Sequence, residues 1–172
     1  MAPRRSAGIL LFRRMDSGPG GGGLEVLLVH PGGPFWARKD EGAWSIPKGE
    51  YGQEGDDPDE EPLDAALREF EEEVGQPAPA GERIDLGTLK QPGGKFVTAW
   101  GVEGTLDADQ IVSNSFELEW PPRSGKFTTF PEVDRAAWLD VPAARAKILR
   151  GQAGFLDRLV AALDGDGDAP ST

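Results

Sequence analysis

The sequence predicts an α+β domain in which a mixed β-sheet packs between helices. Short runs of large apolar and β-branched residues open the chain and return between residues 84 and 139. A strongly amphipathic helical stretch, residues 63–74, separates the two groups, and the chain closes in apolar side chains at 3.6-residue spacing. Strands, helix, strands and helix in that order bury their apolar faces as one sheet covered on both sides.

The elements follow from the amino end. Ser6 to Arg13 reads as a strand with Ile9, Leu10, Leu11 and Phe12 in a buried run, and Glu25 to His30 as its hairpin partner across a Gly-rich turn at Ser17–Gly23. Pro31 to Gly42 is irregular, Trp44–Ile46 is a short extended piece stopped by Pro47, and Gly49 to Asp59 reads as a polar, acidic loop. Pro62 suits the first turn of a helix that runs from Leu63 to Val74 and stops at Gly75. Ile84–Leu89 and Phe96–Val102 alternate as two strands around Pro92-Gly93-Gly94; Phe116–Trp120 and Phe127–Phe130 bracket a second turn, and Ala136–Leu139 is a last strand. Pro142–Leu149 and Gln152–Leu163 are helical in pattern. The expected organisation is one domain over residues 1–163 with a polar, disordered tail at 164–172.

Composition narrows the chemistry. The 172 residues suit one domain with a real core; hydrophobic residues are 38%, and 24 Gly with 15 Pro make it rich in loops. There is no cysteine and the one histidine is His30, so thiolate catalysis, disulfides and Cys- or His-rich zinc sites are excluded. Any bound metal must be held by oxygen, which selects Mg²⁺, Mn²⁺ or Ca²⁺. A formal charge of −12 disfavours nucleic-acid polymers and anionic membranes as partners, while an anionic small substrate stays open if a cation reverses the local field. The apolar run after Arg4 and Arg5 is too short for a signal segment and no stretch reaches membrane-spanning length, so the cytoplasm is the expected location.

The informative segment is Arg68-Glu69-Phe70-Glu71-Glu72-Glu73-Val74-Gly75. At about 100° per residue, Glu69, Glu72 and Glu73 share one helix face while Leu63, Leu67, Phe70 and Val74 form another. Like charges at these spacings cost roughly 0.2–0.5 kcal/mol per pair, and a hard divalent cation reverses the sign. A solvated acidic face is the plain alternative for any such run. Here Arg68 stands beside the cluster, Gly75 ends the helix at once, and a Pro-Lys-Gly segment feeds in ahead.

This combination resembles the box of the Nudix hydrolases, G-x5-E-x7-R-E-U-x-E-E-x-G-U, with U a bulky aliphatic residue. Glu60-x7-Arg68-Glu69-Phe70-Glu71-Glu72-Glu73-Val74-Gly75 fits every fixed position of its second half, and Trp44-Ser45-Ile46-Pro47-Lys48-Gly49-Glu50 resembles the usual approach to it. Two departures stand out: ten residues separate Gly49 from Glu60 where the pattern has five, and the final bulky position is Gln76. Glu54 preserves the short spacing from Gly49 approximately but loses the distance to Arg68, so Glu60 is the better match. The resemblance extends from about Ser6 to Leu163 and implies a Nudix-type α/β/α sandwich.

It implies further that Glu69, Glu72 and Glu73 bind Mg²⁺, with Mn²⁺ as the alternative, and that the Gly49 carbonyl adds a ligand. Arg68 and Glu60 would orient those ligands, or simply clasp the loop. Glu72 and Arg68 are catalytic candidates within the box. Some relatives place a base six residues before a tryptophan of the last strand, which selects Glu132 ahead of Trp138; Glu117 and Glu119 are reserves. Lys48, Arg38 and Lys39 are candidates for phosphate contact and Trp36 for stacking. Trp44 stacks or packs in the core, Arg123 and Lys126 cover a longer polyphosphate or solvate a hairpin, and His30 reads as a packed residue.

The activity implied is Mg²⁺-dependent hydrolysis of a phosphoanhydride bond in a nucleoside-diphosphate-linked substrate, with dinucleoside polyphosphates and (d)NTPs favoured over nucleotide sugars. The competing class is a non-catalytic Nudix module that binds a nucleotide or metabolite as a regulator, which the intact carboxylates disfavour. Prenyl-diphosphate isomerase chemistry would want a cysteine, and there is none. A homodimer is compatible with the family, though no interface stripe is legible.

Overall fold

Strand β1 (Arg5–Met15) is the organising element because it pairs along both edges. The computed structural model describes residues 4–15, 23–52 and 57–167. On one edge β1 runs parallel to β5 (Phe96–Glu103), in register from Arg5 with Phe96 to Phe12 with Glu103. Its other edge is shared between two antiparallel partners. Arg5–Gly8 pair with β3 (Lys48–Tyr51), and Phe12–Met15 with β2 (Gly23–Pro31). β4 (Arg83–Lys90) and β8 (Val133–Asp140) extend the sheet, giving the order β4-β5-β1-β2-β8 with β3 beside β1. The sheet is mixed, as the sequence predicts.

Where β1 changes partner, the Ile9 amide donates to the Pro47 carbonyl at 3.1 Å. Only glycine fits at the preceding position: a Cβ on Gly8 would stand 2.7 Å from both the Pro47 oxygen and Lys48 Cβ. The end of the Trp44–Pro47 segment is thereby pressed onto the middle of β1, which fixes where Lys48 and Gly49 begin.

Both faces of the sheet are covered, so the apolar run of β1 is continuous rather than alternating. Ala7, Ile9 and Leu11 pack with Leu27, Ala66, Phe70 and Val74 under helix α1 (Pro62–Val74). Leu10 and Phe12 pack on the opposite face with Phe155, Leu156 and Leu159 of α3 (Ala153–Gly167) and Ala144 of α2 (Val141–Lys147). Each fully buried large side chain contributes roughly 1.5–3 kcal/mol relative to exposure. Helix α1 begins at Pro62 and ends at Gly75, whose φ of 80° suits glycine. A Cβ there would also lie 2.4 Å from the Val112 carbonyl oxygen. Beyond the main sheet, β6 (Ser115–Glu119) and β7 (Phe127–Pro131) form a separate two-stranded ribbon.

Several expectations are corrected. The loop expected from Gly49 to Asp59 begins as strand β3, because the edge of β1 supplies ladder partners and Tyr51 buries its ring beneath the Arg5 guanidinium, 4.9 Å from the ring centre. The expected stretch Pro142–Leu149 stops as helix at Lys147, and the last helix is entered through a 3₁₀ turn at Arg150–Gln152. It continues to Gly167, past the expected boundary at Leu163. Glu54, residues 16–22 of the Gly-rich turn and residues 168–172 of the tail lie outside the described residues. Among the described residues no helix is long and apolar enough to cross a membrane.

Candidate active site

Helix α1 buries Phe70 and Val74 against the sheet and so turns Glu69 and Glu73 toward the start of β3, with Glu72 beside Arg68. Gly49 sits directly beneath Glu69: a Cβ on Gly49 would fall 2.0 Å from the Glu69 carboxylate carbon. One residue earlier, the Lys48 amide donates to Glu73 Oε1 at 3.1 Å. The helix face and the strand end thus form one surface, with a side-chain-free position where the carboxylates come closest to the backbone.

Arg68 holds this surface together. Its Nε and Nη2 donate to the two oxygens of Glu60 at 2.8 and 3.0 Å, and Nη1 donates to Glu69 Oε1 at 2.8 Å. The same Nη1 is 3.5 Å from each oxygen of Glu72. The ten-residue spacing from Gly49 therefore still delivers Glu60 to Arg68, and the longer loop leaves the acidic half of the box intact.

The carboxylates lie in a demanding environment. Burial, then the neighbouring Glu72 charge, raises Glu69 above the usual carboxylate range, with Arg68 opposing the rise. Burial pushes Glu73 up to about 8 despite the opposing Lys48 charge. Lys48 itself is lowered, mainly by burial and then by the nearby Lys95 charge. Glu132 is raised by burial and by Glu72. Its backbone is tied into the site: the Asn114 amide donates to the Glu72 carbonyl at 3.0 Å, and the Glu132 amide donates to the Asn114 carbonyl at 2.8 Å.

Trp36, Lys48, Glu73 and Glu132 line one cleft of about 210 Å³, together with Ser45 and Leu149. The structure thus brings together four residues selected from separate parts of the sequence. Arg38 and Lys39 do not line it; both are exposed, and Lys39 Nζ lies 5.1 Å from the centre of the Trp36 ring. Trp44 is 4% exposed and donates to Asp40, so it belongs to the core. Glu119 accepts from the amides of Arg123 and Gly125 and serves its own hairpin, while Glu117 is exposed on the same ribbon. His30 is fully buried; its Nε2 donates to the Lys39 carbonyl at 2.6 Å and its Nδ1 faces Asp134 at 2.9 Å. It anchors the Trp36–Lys39 loop, and the sequence carried no sign of its Asp134 partner, 104 positions away.

Among the described residues no three acidic or histidine side chains form a preformed metal cage. The donor set nevertheless suits a hard divalent ion. All the available ligands are oxygens, and Glu69 and Glu73, half-buried, and the exposed Glu132 are carboxylates whose mutual repulsion a cation would relieve. Among the described residues Arg68 is the only positive side chain bonded within the acidic face, and two of its three donor nitrogens are committed to Glu60.

Comparison with known proteins agrees with this arrangement. The chain matches the NUDIX domain family over residues 2–159. No curated protein sequence is significantly similar to it. An Ap4A hydrolase from C. elegans, in a binary complex, superposes with a TM-score of 0.62 at 20% identity, covering 93% of this chain and 98% of that one. The NUDIX domain of Shewanella oneidensis NrtR, complexed with ADP ribose, gives 0.63 at 18% identity over 95% of this chain and 90% of that one. A mutT/nudix family protein from Listeria innocua gives 0.62 at 17% identity over 98% and 99%. At these identities the structural likeness speaks for the fold alone. Matched by the family over most of its length and holding the whole acidic half of the box, the chain belongs to the NUDIX domain family.

Proposed function

We propose that this protein hydrolyses a phosphoanhydride bond in a nucleoside-diphosphate-linked substrate with the help of Mg²⁺ or, in its place, Mn²⁺, and that dinucleoside polyphosphates and (d)NTPs are its preferred substrates. The observation that carries the reading is the cleft in which Glu73, Glu132, Lys48 and Trp36 meet beside the Glu69–Glu72 face.

Glu69, Glu72 and Glu73, with the Gly49 carbonyl, would hold the metal, which when bound supplies neutralisation of the diphosphate charge and a lower pKa for the attacking water. Glu132 stands across the cleft as the group that accepts the proton of that water; its position above the usual carboxylate range brings it closer to the working pH of a base. Lys48 places a cation against the phosphate oxygens, and Trp36 offers a flat face for the base. Arg68 and Glu60 keep Glu69 in place.

The test is a phosphate-release screen over dinucleoside polyphosphates, (d)NTPs and nucleotide sugars with and without Mg²⁺, run beside Glu72→Gln. Activity on one of the first two classes, abolished by the substitution, is the expected result. Silence across the panel from a folded protein that still binds nucleotide would replace hydrolysis by a regulatory nucleotide-binding role.

A further inference from the structure

A second cleft, of about 450 Å³, opens on the far side of Lys48. Lys48 and Leu149 border both cavities, so the two are neighbours across one lysine. Lys95 and Arg150 also line the second cleft, and no Asp or Glu does. In a chain of net charge −12, three cations around one hollow is a marked local excess. Among the described residues none of the three has a carboxylate within ion-pair distance.

The walls are tied together by specific bonds. Lys95 stands at the end of the β4–β5 turn, where the Gln91 amide donates to the Lys95 carbonyl at 2.6 Å. Arg150 stands at the start of the 3₁₀ turn before α3. The two turns are clipped by Gln91, whose Nε2 donates to the Gly151 carbonyl at 2.8 Å. A Cβ on Gly151 would come within 2.4 Å of the Gln91 side-chain oxygen, so a side chain there would push the clip aside. The floor is fixed by Gln152, fully buried, which accepts from the Ile46 amide and donates to Ser45 Oγ, each at 3.0 Å.

We infer that this cleft is an anion subsite for the distal phosphates of a substrate carrying more than two of them, the chain passing Lys48 from the acidic cleft toward Lys95 and Arg150. The inference deepens the proposed function and rests on it for the position of the diphosphate. A phosphate chain suits the hollow because its charges are spaced along a flexible tail that successive cations can follow. A nucleic-acid polymer does not suit it, since the rest of this acidic surface would repel one.

The experiment is calorimetric titration of the full-length protein in EDTA, without turnover, using inorganic tripolyphosphate, pyrophosphate and ATP. Tripolyphosphate should bind the unmodified protein more tightly than pyrophosphate, and Lys95→Ala/Arg150→Ala should weaken it by at least about tenfold. Arg4→Ala/Arg14→Ala removes the same charge from exposed positions that line neither cleft, and should leave binding unchanged. Equal weakening by both pairs, no weakening by the first, or no binding to the folded protein would overturn the subsite. Tighter binding of ATP than of tripolyphosphate assigns the tail to a nucleotide; equal binding overturns that assignment in favour of free polyphosphate. Because nothing is hydrolysed, the outcomes separate: binding through Lys95 and Arg150 in an inactive protein defeats the hydrolytic reading alone, and active enzyme with unaltered binding in the double variant defeats the subsite alone.

Discussion

Arg68 grips Glu60 through two bonds of 2.8 and 3.0 Å while its remaining nitrogen reaches Glu69 at 2.8 Å. The guanidinium is therefore a spacer between a loop residue and a candidate metal ligand, and its planar fork sets the Glu69 carboxylate at a fixed distance from Glu60. The side chains of Glu60 and Glu69 are 15% and 14% exposed, so solvent screens this contact less than it would a surface pair.

Glu60→Gln should therefore act on the metal and leave the fold nearly untouched. The amide keeps one acceptor but not the bidentate charged pair, and loss of such a supporting partner typically costs about 10–100-fold in metal affinity or activity. The Mg²⁺ concentration for half-maximal rate should rise accordingly, with excess Mg²⁺ restoring part of the loss. An unchanged Mg²⁺ dependence would make the Arg68–Glu60 pair a loop clasp only.

Gly49→Ala tests how closely the strand and the helix must approach. The new methyl would stand 2.0 Å from the carbon of the Glu69 carboxylate, so that carboxylate has to move. Displacement of a reacting or positioning group by about 1 Å costs on the order of 10²-fold in rate. We expect kcat to fall by about that factor while circular dichroism shows the same secondary structure. A nearly normal kcat would show that Glu69 can leave its place without cost.

Glu73 sets a pH dependence in the metal-free protein. Its carboxyl is pushed up to about 8 in the fold by burial, against an unfolded value near 4.5. A raised folded value means that the protonated form is favoured on folding. Its contribution to stability is complete below about pH 4.5 and is lost as pH rises toward about 8. In EDTA the melting temperature should therefore decline between pH 5 and 8, and Glu73→Gln should flatten that decline. Mg²⁺ should oppose it, since an ion that binds the folded form stabilises by mass action. A melting temperature that is level across this range in EDTA would mean that Glu73 is solvated or already neutralised.

Periodicity made the two layers of helix legible: Phe70 and Val74 on one side, Phe155 and Leu159 on the other, each fall where their spacing puts them. The acidic face was legible for the same reason, since its members lie within one helix. Strand β3 was not, because Lys48–Tyr51 carries no strand pattern of its own and is extended by pairing with β1. Which members of the Trp36–Lys39 loop turn inward was not legible, because interleaved bases and aromatics in a loop look alike whether or not they do. Trp36 does line the cleft and its two basic neighbours do not. Lys95 and Arg150 went unnoticed because they meet only through the clip between two turns that are remote in sequence.

Glu132 is the residue on which the chemistry is most exposed to test. It stands six residues before Trp138, and it lies in the cleft with Glu73, close enough to Glu72 to feel its charge. Its backbone is fixed twice over, by the Glu132 amide to the Asn114 carbonyl and by the Gly32 amide to its own carbonyl, so its reach toward the acidic face is set by the fold. Positioned proton transfer is worth about 10²–10⁴-fold, and Glu132→Gln should lower kcat within that range while leaving the melting temperature and KM close to their original values. Glu119→Gln is the matched control: that carboxylate caps the Arg123 and Gly125 amides of its own turn, so its loss should loosen the ribbon without an effect of that size on kcat. If Glu132→Gln turns over at a near-normal rate, the base belongs to the helix face itself, and Glu72, more exposed than Glu69 beside the same Arg68, becomes the residue to replace next.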